Sequence, residues 1–211
     1  MFHFSKWLFS SLLCLVCNVT YAGPQREEHL ADSVRIAMSS AVADLPPPTP
    51  YLPTEQDQAS YQQWLSHTQA LLERKLQGKK GQPRLPELSS PELKQAFLQT
   101  VWYESRRAGL EPALVMGLIE VESGFRKFAI SSAGARGVMQ VMPFWTRQLG
   151  ISDASALFHW QANMRFGCVI LRHYLSLEQG NMLMALGRYN GSRGQLAYPR
   201  AVLAAQRRWQ P

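Results

Sequence analysis

Cysteine is scarce in this chain of 211 residues, which has three, at positions 14, 17 and 168. Two of them lie within residues 1–22, so a chain that lost this segment would keep Cys168 alone and could form no internal disulfide. Strand-like alternation is missing except near residues 128–130, and no internal repeat is visible. These absences exclude a disulfide framework and leave a chain that is mainly helical.

The chain also lacks an apolar run long enough to span a bilayer comfortably, which takes about 20 residues. Its N-terminus instead has the pattern of a secretory signal: Lys6, then the apolar residues 7–17, then Thr20-Tyr21-Ala22 with small residues at the cleavage positions. We therefore expect residues 1–22 to be a signal peptide and the protein to be exported to the periplasm. The alternative is that this segment is kept as an N-terminal anchor.

Positive charge exceeds negative charge, with a net charge of +7 and an isoelectric point near 9.6. A basic chain can bind nucleic acid, and Arg106-Arg107 and Arg207-Arg208 pair locally. Export disfavours that partner, so we expect an anionic polymer of the cell envelope and no nucleic acid.

Proline and glycine divide the chain into three parts. Residues 45–53 are rich in proline and should be extended, so residues 23–55 are predicted to be a tether. A second break covers residues 78–86, and the spacing of apolar residues between the breaks predicts one extra helix over 56–77. The predicted boundaries are 1–22 for the signal, 23–88 for the tether and helix, and 89–211 for the folded domain.

The folded domain is predicted to be a set of helices with clear start and stop signals. Ser90 followed by Pro91 is a typical helix start, Gly109 closes that helix, and Asn181 caps a later one. The helices of this domain are predicted over residues 91–108, 112–122, 137–149, 159–178, 181–186 and 198–208.

Glu122 is the strongest candidate for a catalytic group. It ends a predicted helix after the apolar run Val115-Met116-Gly117-Leu118-Ile119, and a glycine-rich turn follows at residues 134–137. Burial beside apolar groups and the partial negative charge of a helix C-terminus both disfavour the ionised form of a carboxyl group. We therefore expect Glu122 to be largely protonated near neutral pH and able to donate a proton to a glycosidic oxygen.

A second acid for the same site is missing from the pattern. Glu120 lies two residues away and so points about 200° round the helix from Glu122. Asp153 and Glu178 lie where solvated helix ends are expected. Ordinary glycosidases use two carboxylates, so the sequence predicts a site with a single acid and another source for the nucleophile.

Polar residues further along the chain are candidate contacts to a sugar. The amide of Gln140 could bind a hydroxyl or N-acetyl group, or it could be a solvated helix residue. Tyr189-Asn190 is typical of a turn after a helix and could also form a sugar platform. Tyr198 begins the last helix and fits a core aromatic residue equally well.

Taken in order, these motifs resemble the catalytic core of the soluble lytic transglycosylases, the goose-type-lysozyme-like family that cleaves bacterial cell-wall glycan. The matching parts are Glu122-Ser123 for the acid-bearing Glu-Ser, the Ser131-to-Gly137 turn for Ser-x-x-Gly-Ala-x-Gly, Gly137-Val138-Met139-Gln140 for Gly-Leu-Met-Gln, Tyr189-Asn190 for Tyr-Asn, and Tyr198 for the following lone Tyr. The resemblance covers residues 90–205. Arg188 departs from it by replacing a small residue, and residues 23–88 match no accessory domain.

The resemblance implies a mainly α, lysozyme-like domain with little or no β, preceded by the Pro-rich tether and one extra helix. It implies that Glu122 acts first as acid and then as base, while the substrate's own N-acetyl group and 6-hydroxyl complete the reaction to a 1,6-anhydro product. No metal or cofactor is implied. The residues expected to bind substrate are Ser123, Ser131, Gln140, Met142, Tyr189, Asn190 and Tyr198.

Two alternatives stay open beside this expectation. One is a hydrolytic lysozyme of the same fold, which differs only in whether water reaches C1. The other is a non-catalytic domain that grips glycan beside an envelope-spanning secretion or conjugation machine, although the intact Glu122 argues against it. The partner expected in every case is peptidoglycan, bound by a monomer.

Overall fold

The computed structural model describes residues 25, 27–43, 52–77, 85–151 and 153–211. The predicted signal segment 1–22 and most of the proline-rich run lie outside the described residues. Within them the chain forms eight α-helices: α1 (Asp32–Ala43), α2 (Glu55–Leu76), α3 (Pro91–Arg107), α4 (Pro112–Glu122), α5 (Phe144–Gln148), α6 (Trp160–Leu177), α7 (Met182–Asn190) and α8 (Ala197–Trp209).

The fold is mainly α, as the sequence predicts. Among the described residues, β structure is limited to isolated antiparallel bridges, of which Arg136 makes two, with Ile130 and with Val141. The predicted caps of α3 and α7 are confirmed: Ser90 Oγ accepts from the Leu93 N–H at 3.2 Å, and Asn181 Oδ1 accepts from the Met184 N–H at 3.2 Å. Each cap satisfies an N–H that a helix start leaves without an intrahelical acceptor.

Helix α4 is the centre of the domain and is buried along nearly its whole length. It packs against α8 so closely that a Cβ added at Gly117 would lie 2.6 Å from the backbone nitrogen of Gln206. Only glycine fits at such a crossing without moving a backbone. This crossing holds α4 against α8, so that Glu120 meets the end of α8 and Glu122 meets Tyr198 in its first turn.

The segment before the domain contains two helices where the sequence pattern predicts one. Residues 32–43, predicted to be part of an extended tether, form α1, which packs on α6. Val34, Met38 and Val42 recur every four residues, and Met38 and Val42 are buried in the main core. This apolar spacing is a helix signal that the proline-rich run just after it obscured.

Helix α2 is fixed to α3 by aromatic packing. The rings of Tyr61 and Trp64 each lie 5.2 Å from the ring of Trp102, measured between centroids. Aromatic pairs at this distance contribute about 0.5–1.5 kcal/mol each beyond the area they bury. Helix α2 is therefore part of the main core.

A buried ion pair joins α3 to α6. The Arg165 guanidinium lies 3.0 Å from Glu104 Oε1, and both side chains are almost fully buried. Arg165 also donates to the carbonyl of Val42 at 3.2 Å, which ties the C-terminal end of α1 to the same place.

None of the described helices combines the length and apolar character that crossing a membrane requires.

Candidate active site

Glu122 is the last residue of α4, and its side chain faces into the protein with 3% of its surface exposed. Burial raises the pKa of its carboxyl group from 4.5 to about 8, against a smaller lowering by a hydrogen bond from Tyr198. A carboxyl group with this pKa is mostly neutral at pH 7. The described geometry therefore supports the proton donor expected from the sequence.

Tyr198 lies in the first turn of α8, where the close α4–α8 packing brings it to Glu122. Its hydroxyl donates to Oε1 of Glu122, and only 6% of the residue is exposed. Burial, together with the nearby Glu122 charge, raises the pKa of the Tyr198 hydroxyl well above 10. Tyr198 therefore keeps its proton and stays a donor whether Glu122 is neutral or ionised.

Glu120 points the opposite way, as the helical spacing predicts. Its carboxylate binds Lys75 Nζ of α2 at 2.8 Å, and an Arg208 guanidinium nitrogen and Trp209 Nε1 of α8, each at 2.7 Å. Burial by itself would raise the pKa of Glu120, but the three donors outweigh it, so the pKa is lowered. Two carboxyl groups of one helix thus have opposite protonation near neutral pH.

The segment from Ser131 to Gln140 folds into a compact turn. Ser131 and Ala135 are joined twice, by a backbone N–H to carbonyl bond of 3.0 Å and by the Ala135 N–H donating to Ser131 Oγ at 3.1 Å. The Gln140 side chain turns inward and donates to the carbonyls of Ala129 at 3.1 Å and Gly137 at 2.9 Å. Both Ser131 and Gln140 are buried.

The predicted helix over 137–149 is wrong in its first half. Gln140 has a positive φ of 52°, and Arg136 bridges to Val141, so the chain turns back here. Helix α5 begins at Phe144, directly after Pro143. A left-handed conformation at a residue with a side chain is strained, and such strain is commonly held at functional sites by the surrounding structure.

Asn163 of α6 holds this turn, although no sequence motif pointed to it. Its side chain accepts from the Met139 N–H at 2.7 Å and donates to the carbonyls of Arg136 and Leu157, both at 2.8 Å. The contact is so close that a Cβ at Gly137, where φ is +76°, would lie 2.4 Å from Asn163 Nδ2. Asn163 lies on the buried face of α6 with Phe166 and Ile170. Its helical spacing from these two apolar residues is the sequence signal that could have identified it as a buried polar residue.

Two further predicted residues support the turn. Ser123 Oγ donates to the Val138 carbonyl at 2.7 Å, and the Tyr189 hydroxyl donates to the Met139 carbonyl at 2.8 Å. Each residue is 1% exposed. Ser123 and Tyr189 thus fix the turn relative to Glu122, and this geometry favours a positioning role for both over direct contact with a ligand.

Asn190 and Met142 complete the predicted set. Asn190 ends α7 next to Tyr189 and is buried, whereas Met142 is half-buried against the apolar core just before α5. The structure therefore brings α4, the 131–140 turn, α7 and α8 together around Glu122. Among the described residues, no three His, Cys, Asp or Glu side chains converge as a metal site would require.

The Arg188 guanidinium is paired with two carboxylates. It donates to Glu178 and, at 3.2 Å, to Glu28 in the segment that precedes α1. Gln25 in the same segment donates to the Tyr189 carbonyl. Gln25 and Glu28 thus contact the helix that carries Tyr189-Asn190, an arrangement that no local sequence signal indicates.

The chain matches the family model of the transglycosylase SLT domain over residues 100–207, just over half of its length. It is 47% identical over 47 residues to a membrane-bound lytic murein transglycosylase C of Actinobacillus pleuropneumoniae serotype 5b, covering 22% of this chain and 13% of that protein. It is 32% identical over 97 residues to a transglycosylase of Enterobacteria phage PRD1, covering 46% of this chain and 35% of that protein. The chain therefore spans well under half of the length of these relatives.

Among solved structures, the chain is similar to lytic transglycosylase Slt of Pseudomonas aeruginosa, determined as an inactive mutant. The sequence identity is 18% and the TM-score is 0.43, over 89% of this chain and 36% of that one.

Proposed function

This chain belongs to the transglycosylase SLT domain family, and from that membership and the geometry around Glu122 we propose that it is a peptidoglycan lytic transglycosylase. Its substrate would be the β-1,4 bond between N-acetylmuramic acid and N-acetylglucosamine. The observation that carries the proposal is the buried Glu122 carboxyl group, with a pKa of about 8 and a hydrogen bond from Tyr198.

In the first step, neutral Glu122 donates its proton to the glycosidic oxygen as the bond from C1 to that oxygen breaks. The leaving sugar departs with a free 4-hydroxyl group. Positive charge that develops at C1 is stabilised by the N-acetyl group of the same muramoyl residue. Burial supports this step because it keeps the proton on Glu122 at neutral pH, where an exposed Glu would be ionised.

In the second step, the muramoyl 6-hydroxyl oxygen bonds to C1 and its proton passes to the Glu122 carboxylate. This closes the 1,6-anhydro ring, consumes no water and returns Glu122 to its neutral form. Tyr198 supports this cycle because its hydroxyl stabilises the ionised carboxylate between the two steps. A single carboxyl group thus serves as acid and then as base.

The three acids that the sequence pattern offered besides Glu122, which are Glu120, Asp153 and Glu178, are bound to other groups. Glu120 is bound to Lys75 and Arg208, and Glu178 to Arg188 and Arg193. Asp153 accepts from the backbone and hydroxyl of Ser155. These pairings support a site with one acid, in which the substrate supplies the nucleophile.

Ser131 and Gln140 are proposed to orient the substrate. Ser131 Oγ accepts a hydrogen bond from the Ala135 N–H, so its hydroxyl hydrogen can be donated to a sugar oxygen. The Gln140 nitrogen is bound to two backbone carbonyls, which leaves its amide oxygen for a substrate N–H or hydroxyl. Met142 and Asn190 are proposed to line the cleft, while Ser123 and Tyr189 hold the turn in place.

Export to the periplasm and a role beside an envelope-spanning machine remain predictions from the sequence. The same is true of the monomeric state.

The test is digestion of purified sacculi followed by mass spectrometry of the released muropeptides. We expect 1,6-anhydro ends from the parent protein and no release by a Glu122→Gln variant that keeps its fold. Reducing ends without anhydro products would identify a hydrolytic lysozyme instead. Binding to sacculi without any release by the parent would identify a glycan-binding component.

A further inference from the structure

An exposed aromatic and basic surface lies on the outer side of the turn that carries Ser131. Phe128 and Ile130 are 59% and 64% exposed. The Phe128 ring lies 5.9 Å from that of Phe158, between centroids, and Ile130 forms a backbone bridge with Arg136. We call the residues Lys127, Phe128, Ile130, Arg136 and Phe158 the Phe128 surface.

Two cations are part of this surface. Lys127 Nζ lies 5.1 Å from the centroid of Phe128, and the Arg136 guanidinium lies 5.7 Å from the centroid of Phe158. Within the described part of the chain, no carboxylate lies at salt-bridge distance from either cation. Arg136 donates to the Ala154 carbonyl at 3.2 Å and lies near enough to Asp153 to act on its charge. Lys127, with Arg136 beside it, presents positive charge to an anionic group outside the protein.

The Phe128 surface is joined directly to the proposed substrate site. Ala129, between its two most exposed residues, is buried, and its carbonyl accepts from the Gln140 amide. Ser131 follows Ile130 in the chain. A polymer bound at Ser131 and Gln140 extends beyond the bond that is cleaved, and the Phe128 surface is the adjacent exposed part of the same loop.

We propose that the Phe128 surface binds the peptidoglycan strand away from the scissile bond, with Phe128 against a sugar ring and Lys127 and Arg136 on carboxylates of the stem peptides. This inference rests on the proposed function and adds a binding site to it. A pyranose ring presents weakly positive C–H groups, which suit the negative face of an aromatic ring. The carboxylates of the strand are opposite in charge to Lys127 and Arg136.

A protein partner fits this surface less well. A specific protein interface takes about 800 Å² from each partner and has few charged residues at its centre. Here the apolar part comprises Phe128, Ile130 and the half-buried Phe158, and the cations lie against the rings themselves. Small apolar contacts interleaved with charge favour a charged glycopeptide.

The test measures cosedimentation of the full chain with purified sacculi, in a Glu122→Gln background so that the polymer is not digested. Phe128→Ser should weaken binding by about five-fold, the size expected for one aromatic contact, and Lys127→Gln should weaken it further at low salt. Leu177→Ser is the matched control, because Leu177 is 50% exposed at the far end of α6. Its binding should equal that of the Glu122→Gln parent.

Equal binding by the Phe128→Ser and Leu177→Ser variants would overturn the inference and leave the proposed function intact. Failure of the Glu122→Gln parent itself to bind sacculi would count against both. Weaker binding of Phe128→Ser to phosphatidylglycerol vesicles, with sacculus binding unchanged, would assign the surface to a membrane and overturn the inference. Thermal unfolding of each variant verifies that the exposed substitutions leave the fold unchanged.

Discussion

Replacing Glu122 by Gln should stabilise the protein above pH 4.5, and the gain should increase with pH. In the folded state the pKa of Glu122 is about 8, whereas an ordinary Glu has a value of 4.5. Between these values the native protein holds a proton that the unfolded chain releases, so the free energy of unfolding of the parent falls as pH rises. One pKa unit corresponds to about 1.4 kcal/mol, so the shift from 4.5 to about 8 means that the ionised carboxylate costs the fold on the order of 5 kcal/mol above pH 8.

Gln has the shape of a neutral Glu and can accept the Tyr198 hydrogen bond, but it has no charge to bury. Urea unfolding of both proteins at about pH 5, 7 and 9 gives the two free energies at each pH. We expect a difference of about 1 kcal/mol or less at the lowest pH, growing to roughly 5 kcal/mol in favour of the variant at the highest. A difference that does not change with pH, or a variant less stable than the parent at pH 9, would refute burial as the cause of the raised pKa.

Glu120→Gln is the matched control, since it makes the same chemical change two residues away. The pKa of Glu120 is lowered by Lys75 and Arg208, so its charge stabilises the fold above the ordinary pKa of 4.5 and the benefit is lost as pH falls through the lowered value. Removing that charge should therefore destabilise the protein at neutral pH, opposite in sign to Glu122→Gln. The same sign for both variants would contradict the two assigned environments.

Two other predictions follow from the site. Tyr198→Phe removes the hydrogen bond that lowers the pKa of Glu122, so the alkaline limb of the pH–rate profile for sacculus solubilisation should move to higher pH, with a rate loss of roughly ten-fold; an unmoved limb would show that Tyr198 does not act on the acid. Gly137→Ala should lower the free energy of unfolding in urea by about 3 kcal/mol, because the new Cβ would lie 2.3 Å from the carbonyl oxygen of Leu157. Gly134→Ala is the control, since Gly134 also has a positive φ but a Cβ there meets no atom within 4 Å. It should lower the free energy of unfolding by about 1 kcal/mol. Equal costs would show that the close packing at Gly137 has no effect on stability.

The family and the mainly α fold could be predicted because their signals are local. Caps at Ser90 and Asn181, apolar spacing and an ordered set of short motifs each lie within a few residues of sequence. The orientation of Glu120 away from Glu122 also followed from helical geometry alone. These features do not depend on which distant segments meet.

What the sequence did not indicate depends on long-range contacts. The positive φ of Gln140 has no local sequence signal, because glycine is the residue expected at such a φ. The conformation is stabilised by the bond from the Gln140 side chain to the Gly137 carbonyl and by Asn163, which accepts from the N–H of the neighbouring Met139. Asn163 itself looks like any polar residue in a helix until α6 is packed against the turn. Arg188, which replaces a small residue of the family pattern, is bound to Glu178 and to Glu28, which lies 160 residues away in the chain.

The contacts of Glu120 have a consequence for how the catalytic part can be isolated. The family match begins at residue 100, inside α3, and ends at 207, before Trp209. Trp209 is fully buried and donates to Glu120, and Lys75 reaches the same carboxylate from α2. A fragment cut at the limits of the match would lose half of α3 and all three donors to Glu120, which are Lys75, Arg208 and Trp209. The region matched by the family model is therefore smaller than the packed unit around α4, and expression boundaries should be drawn from the packing of α2 and α8.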